Sequence, residues 1–265
     1  GLSFTYCTAP TRFNPPMPSP PAAELRSNDE SIRRNRGFYE PLWTRANLVE
    51  PSRFNTWPLL QALADEAPRR LEVAPGLRPR LPLRGTCFVD LSHAAVQRLQ
   101  ARGATAVHGL IGALPWRDAS FDLVCALDIL EHVADDHGAL AELARVAAPG
   151  ARVLMSVPLH PQAWTAFDDC VGHCRRYEPA QILALLAEHG FVLEHSAVYG
   201  MQPNSPRLLA MAEWFLDHQR ERAMWWYNRV FMPLGLRFQQ PLRWREGLGD
   251  TGGVDEVLLR CRRAS

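Results

Sequence analysis

The chain has 265 residues, 47% of them hydrophobic and 22% charged, with a formal net charge of +1. That balance belongs to a folded domain with a sizeable core and excludes a disordered or collagen-like chain. It also supplies no overall field toward nucleic acid or an anionic membrane.

All 29 basic residues are arginine, which genome composition explains at least as well as function. The six cysteines, Cys7, Cys87, Cys125, Cys170, Cys174 and Cys261, are scattered through a chain of enzyme length. That spread points to reduced thiols in the cytoplasm rather than a disulfide scaffold. No run approaches the roughly 18 apolar residues of a membrane span, and no secretory leader is read at the start. Gly1 to Pro21 is proline-rich and aperiodic, an expected disordered extension, with Met17 inside it as a candidate natural start.

Residues 22–68 follow as a helical cap that mixes aromatics, Tyr39, Trp43, Phe54 and Trp57, with helical spacing. Strand and helix units then alternate. Leu71–Ala74 is the first strand and Cys87–Leu91 the second, with Ser92 placed to cap a helix over Ala94–Arg102. Further strands are expected at Ala106–Val107, Phe121–Leu127, Arg152–Val157, Phe191–Val198 and Val254–Arg262. Helices are expected around Ala139–Ala147 and Pro179–His189. This alternation implies a mostly parallel sheet covered by helices on both faces. Residues 69–204 and 251–265 make the core. An aromatic helical insertion, residues 205–250, precedes the last strand and carries Trp214, Phe215, Trp225, Trp226, Tyr227 and Phe231.

The turn after the first strand, "LEVAPGLRPRLP", has an acid, Glu72, then Gly76, with three prolines, Pro75, Pro79 and Pro82, around that glycine. Prolines deny this crossover a regular helix, so no helix N-terminus is expected to face an anion there.

Four segments in this order resemble the Rossmann-like, class I S-adenosylmethionine-dependent methyltransferases. They are "LEVAPG", the acid Asp90 ending the second strand, "ALPWRDASFDLVCALDILEHV" and "LARVAAPGARVLMSVP". The resemblance covers Leu71 to about Gly200 and the closing strand. It implies a seven-stranded Rossmann-like sheet, S-adenosylmethionine as cofactor, and cofactor contacts from Glu72, Ala74, Gly76, Arg78, Asp90, Leu91, Ile111 and Asp128. The family's first and third glycines are here Ala74 and Arg78, and Leu110 stands where an acid often reads adenine. An arginine, Arg78 or Arg80, is read as a substitute clamp for the cofactor's carboxylate.

Reacting groups are expected beyond the carboxyl ends of the strands. His173 and then His132 are the candidate bases for a hydroxyl acceptor. Tyr39, Trp43, Trp164, Arg176 and Tyr177 are the expected acceptor contacts. Cys170, His173 and Cys174 are too few for a closed zinc site, and no metal is expected. The implied activity is methyl transfer, preferably to oxygen, on a small or lipid-like acceptor, with no nucleic-acid partner and with contact to a membrane surface left open. A domain that has lost catalysis and serves as a binding or scaffold subunit is the rival.

Overall fold

The computed structural model of the protein describes residues 22–200, 236–237 and 239–265. Gly1 to Pro21 and the aromatic run from Trp214 to Phe231 lie outside the described residues. Two helices open the described chain, α1 (Ala22–Arg45) and α2 (Trp57–Glu66). The alternating part comprises β1 (Arg70–Val73), β2 (Thr86–Asp90), α3 (His93–Ala101), β3 (Thr105–His108), β4 (Phe121–Ala126), α4 (Asp136–Val146) and β5 (Ala147–Pro158). After it come α5 (Ala166–Val171), α6 (Pro179–Glu188), β6 (Phe191–Tyr199), β7 (Arg245–Glu246) and β8 (Glu256–Arg263).

The described strands form one eight-stranded sheet in the order β3-β2-β1-β4-β5-β8-β6-β7. Pairs from β3 through β5 are parallel, whereas β8 runs antiparallel between β5 and β6. The expectation of seven strands is corrected by β7, two residues that pair with His195 and Ser196 of β6. Two exposed residues, Arg245 and Glu246, carry no alternation, so no sequence pattern marks them as a strand. Side chains alternate across the sheet. Leu71, Val124, Val153 and Leu259 pack with α4 and α6, while Leu123, Leu154 and Leu258 pack with Leu60 and Leu63 of α2.

No helix lies between β1 and β2, as the prolines require. Two other devices hold that crossover. Leu77 and Leu81 are fully buried as apolar pegs. The Glu72 carboxylate accepts hydrogen bonds from the backbone N–H of Arg80 at 2.8 Å and of Leu81 at 2.9 Å. Burial pushes Glu72 up to about 7, against those two N–H groups and the Arg80 charge, which pull it down.

Cys87, in β2, is disulfide-bonded, while Cys125, Cys174 and Cys261 are free thiols. This corrects the reading of all six as reduced, since spacing along a chain does not fix proximity in the fold. Among the described residues no helix is long and apolar enough to cross a membrane.

Ala74 sits at φ +55°, not in the negative-φ conformation that an alanine prefers. Its methyl costs about 1–2 kcal/mol in that left-handed region, and part of this is offset by the freer unfolded chain of a glycine. Ala74→Gly is therefore expected to raise unfolding stability by about 0.5–1 kcal/mol in urea denaturation. A loss of stability would show that the turn is set by something other than this backbone conformation.

Candidate active site

Strand order reverses direction between β1 and β4, so a crevice opens beyond their carboxyl ends, where open α/β sheets bind ligands. Asp90 closes β2 at this edge. Its Oδ2 accepts the Gly76 N–H and its Oδ1 the Ser92 N–H, both at 2.8 Å. The first crossover and the start of α3 are thereby tied to one carboxylate. Burial raises Asp90 to about 6, with the two N–H groups opposing and the Glu40 charge from α1 reinforcing. Each Asp90 oxygen keeps a second lone pair, the capacity to accept two sugar hydroxyls. Gly76 stands at φ +55°, and a Cβ there would overlap the Trp43 indole. Both conformation and contact demand glycine.

Helix α1 supplies the wall over this edge. Ser31, Asn35, Tyr39 and Trp43 recur every four residues and so share one stripe of the helix. Ser31 Oγ and Asn35 Nδ2 donate to the His132 carbonyl at 2.7 and 2.8 Å, and the Tyr39 hydroxyl lies 3.2 Å from His132 Nε2. Trp43 stacks on Tyr39 with centroids 6.0 Å apart. Gly172, at φ +83°, lets Arg34 and Asn35 approach its backbone closely.

A chain of polar contacts continues from this stripe. The His132 and His173 rings meet edge to face at 4.6 Å. His173 Nδ1 is 2.7 Å from Asp168 Oδ1. Arg176 clasps both Asp168 oxygens at 3.0 Å and reaches Asp255 at 2.7 Å. Asp168 also caps α5 through Thr165. Burial works to raise Asp168, but the His173 and Arg176 hydrogen bonds outweigh it and hold the carboxylate far below its ordinary value. Burial, aided by the neighbouring His173, takes His132 down to about 3, so its ring is neutral.

Asp128, just past β4 and at φ +54°, anchors a second cluster. It accepts from the Ser156 hydroxyl at 2.6 Å and the Tyr199 hydroxyl at 3.2 Å, with Arg80 3.8 Å away. Arg80 in turn donates to the Tyr199 hydroxyl at 3.0 Å and lies over the Phe54 ring at 3.6 Å.

A model of the methyltransferase domain family matches residues 77–155, which hold Asp90 and the segment through β4 and β5. The crystal structure of a protein from Thermotoga maritima described as a possible histamine N-methyltransferase superposes with a TM-score of 0.53. It is 15% identical and covers 90% of this chain and 95% of its own. The match over residues 77–155 is to the methyltransferase domain, and the fold is similar to that of an S-adenosylmethionine-dependent methyltransferase. Curated relatives match over shorter stretches. A "Probable S-adenosylmethionine-dependent methyltransferase" of Mycolicibacterium smegmatis is 31% identical over 110 residues, 40% of this chain and 43% of that protein. Norajmaline N-methyltransferase of Rauvolfia serpentina is 45% identical over 42 residues, 16% of this chain and 14% of the plant enzyme. The chain thus aligns with less than half the length of either.

Against the methyltransferase pattern, the structure brings Gly76, Asp90, Tyr39, Trp43, His132 and His173 to one edge of the sheet. Leu91 stays beside Asp90, with its carbonyl 2.9 Å from His108 Nε2, while the Ile111 side chain turns into the core. Glu72 faces its own loop, as described. Arg78 lies over Trp43 at 5.2 Å, and Arg80 is drawn into the Asp128 cluster. Trp164 is exposed. Arg176 and Tyr177, expected to touch an acceptor, are both buried against protein partners: Arg176 is enclosed by its two carboxylates, and Tyr177 donates to Asp136 at 2.9 Å. Sequence reading passed over Asp168, Glu131 and Tyr199. Asp168, five residues before His173 across a short helix, was the one with a usable signal.

Removing one partner of a buried ion network costs about 3–5 kcal/mol, because the remaining charge is stranded. Arg176→Met is expected to lose that much in urea denaturation. A loss below about 1 kcal/mol would mean that the Asp168–Arg176–Asp255 network is not closed in solution.

Proposed function

We propose that the protein transfers a methyl group from S-adenosylmethionine to a hydroxyl of a small or lipid-like acceptor. The observation that carries this reading is the Asp168–His173 pair, set beside the Tyr39–Trp43 stack on the edge where Asp90 and Gly76 meet. When bound, S-adenosylmethionine supplies an electrophilic methyl on a sulfonium. Asp90 fits the ribose hydroxyls through its two spare lone pairs, and Arg78 on the rigid crossover fits the methionine carboxylate as a charged substitute for the absent helix N-terminus.

The protein's own work is alignment and proton handling. An amine acceptor needs little help with its proton, whereas a hydroxyl gains from a base. Asp168 fixes the His173 ring by one nitrogen and leaves Nε2 to take the acceptor's proton. His132, neutral and hydrogen-bonded to Tyr39, positions rather than deprotonates. Tyr39, Trp43 and exposed Trp164 suit a phenolic or acyl-chain acceptor.

Calorimetry with S-adenosylmethionine and S-adenosylhomocysteine tests the first half of the reading. Losing charge-assisted hydrogen bonds costs about 1.5–3 kcal/mol, so Asp90→Asn should weaken binding by roughly 10- to 150-fold. Because Asp90 must be ionised to accept both hydroxyls, affinity should fall as pH drops through its value near 6, by about tenfold at pH 5 for a group of that pKa. Asp90→Asn should lose this pH dependence. Equal affinity in parent and variant would remove Asp90 from the site.

The second half is tested by following S-adenosylhomocysteine release with phenolic, fatty and amine acceptors. With a responsive hydroxyl acceptor, His173→Gln should lower kcat by about 10²–10⁴-fold and leave cofactor affinity nearly unchanged. Turnover of amines alone would overturn O-methylation.

A further inference from the structure

We propose that Glu131, His132 and His173 form a binding site for one first-row divalent transition-metal ion. One potential ligand atom from each lies within 4.8 Å of the others. Glu131 and His132 are each only 3% exposed. Glu131 Oε2 and His132 Nδ1 are buried without a hydrogen-bond partner, apart from a loose approach of His132 to the Gly172 backbone. Two stranded polar atoms at one point call for a shared partner.

His173 has the orientation that a metal ligand needs. Asp168 takes its Nδ1 and leaves Nε2 facing Glu131 Oε1 at 4.0 Å. A carboxylate on the far nitrogen is the usual support of a metal-bound histidine. Two imidazoles and one carboxylate suit zinc, iron, cobalt or manganese rather than magnesium or calcium, and leave open positions. Bonds of about 2.1 Å would bring the ligands to about 3.4 Å apart, a modest contraction of what is present.

The surrounding charge favours a cation. Glu131 also groups with Asp128 and Glu256 within 4.8 Å. The guanidinium of Arg176 is committed to Asp168 and Asp255. What the ion would do rests on the methyl-transfer reading. An acceptor hydroxyl on an open position would lose its proton to solvent water more readily, in place of proton uptake by the His173 ring, and the resulting oxyanion would take the methyl as its bond to the sulfonium sulfur breaks and S-adenosylhomocysteine leaves. The ion's presence does not depend on that reading.

The test uses the full chain, stripped with a chelator and dialysed, then titrated with Co²⁺ by visible absorption and with Zn²⁺ by elemental analysis. One equivalent should bind. Glu131→Gln and His173→Gln should weaken binding at least about tenfold, and Asp168→Asn about 10- to 100-fold. His137→Gln, in the exposed His137–Glu188–His189 group, should leave the site unchanged. No stoichiometric uptake by the parent, or equal uptake by Glu131→Gln and His173→Gln variants that keep the parent's circular dichroism, would overturn the site. S-adenosylmethionine calorimetry on the same samples separates the two readings. Metal uptake without cofactor binding sinks methyl transfer alone, and cofactor binding without metal uptake sinks this site alone.

Discussion

Much of the site depends on one stripe of helix α1. Four side chains at a spacing of four residues run from the His132 carbonyl to the face of Gly76. The stripe joins two parts of the sheet edge that the core alone does not connect: the first crossover, with Asp90, and the turn after β4, with the histidines. Since buried backbone acceptors need partners, Ser31 and Asn35 also satisfy the His132 carbonyl in a turn too short to do so itself. A helix outside the alternating core therefore ties the first crossover to the turn after β4.

The first crossover shows how a loop can be ordered without the helix that usually follows the first strand. Without a helix there is no helix dipole, and two of the usual glycines are gone. A buried carboxylate, Glu72, organises the loop from within by accepting two backbone N–H groups, and Asp90 organises it from across the sheet by accepting a third. Prolines then reduce the entropy lost on ordering the loop. The cost is a second buried acid and an alanine in the left-handed region.

The fold was largely legible because period-two apolar strands and period-3.6 helices alternate strongly from Leu71 to Val198. Proline placement was equally informative about the missing helix. What escaped was short or non-local. Arg245 and Glu246 have no pattern to read, and the pairing of Asp168 with Arg176 and Asp255 exists only once β5 and β8 lie side by side. Arg176 and Tyr177 looked like contact residues because charged and aromatic side chains in a loop after a strand often are. Arg176 is buried by that ion network and Tyr177 by its hydrogen bond to Asp136, neither of which any spacing announces. His132 and His173 were legible as chemistry, but Glu131 between the same two elements was not, since an acid next to a histidine reads as an ordinary solvated pair until its burial is known.

The account's central claim is that α1 couples the cofactor loop to the histidine turn. Hydrogen exchange with and without S-adenosylmethionine tests it most directly, because exchange reports local opening segment by segment. Binding should slow exchange in residues 31–43 together with residues 74–81 and the turn at 130–133. Protection confined to residues 74–81, with α1 unchanged at saturating cofactor, would contradict it.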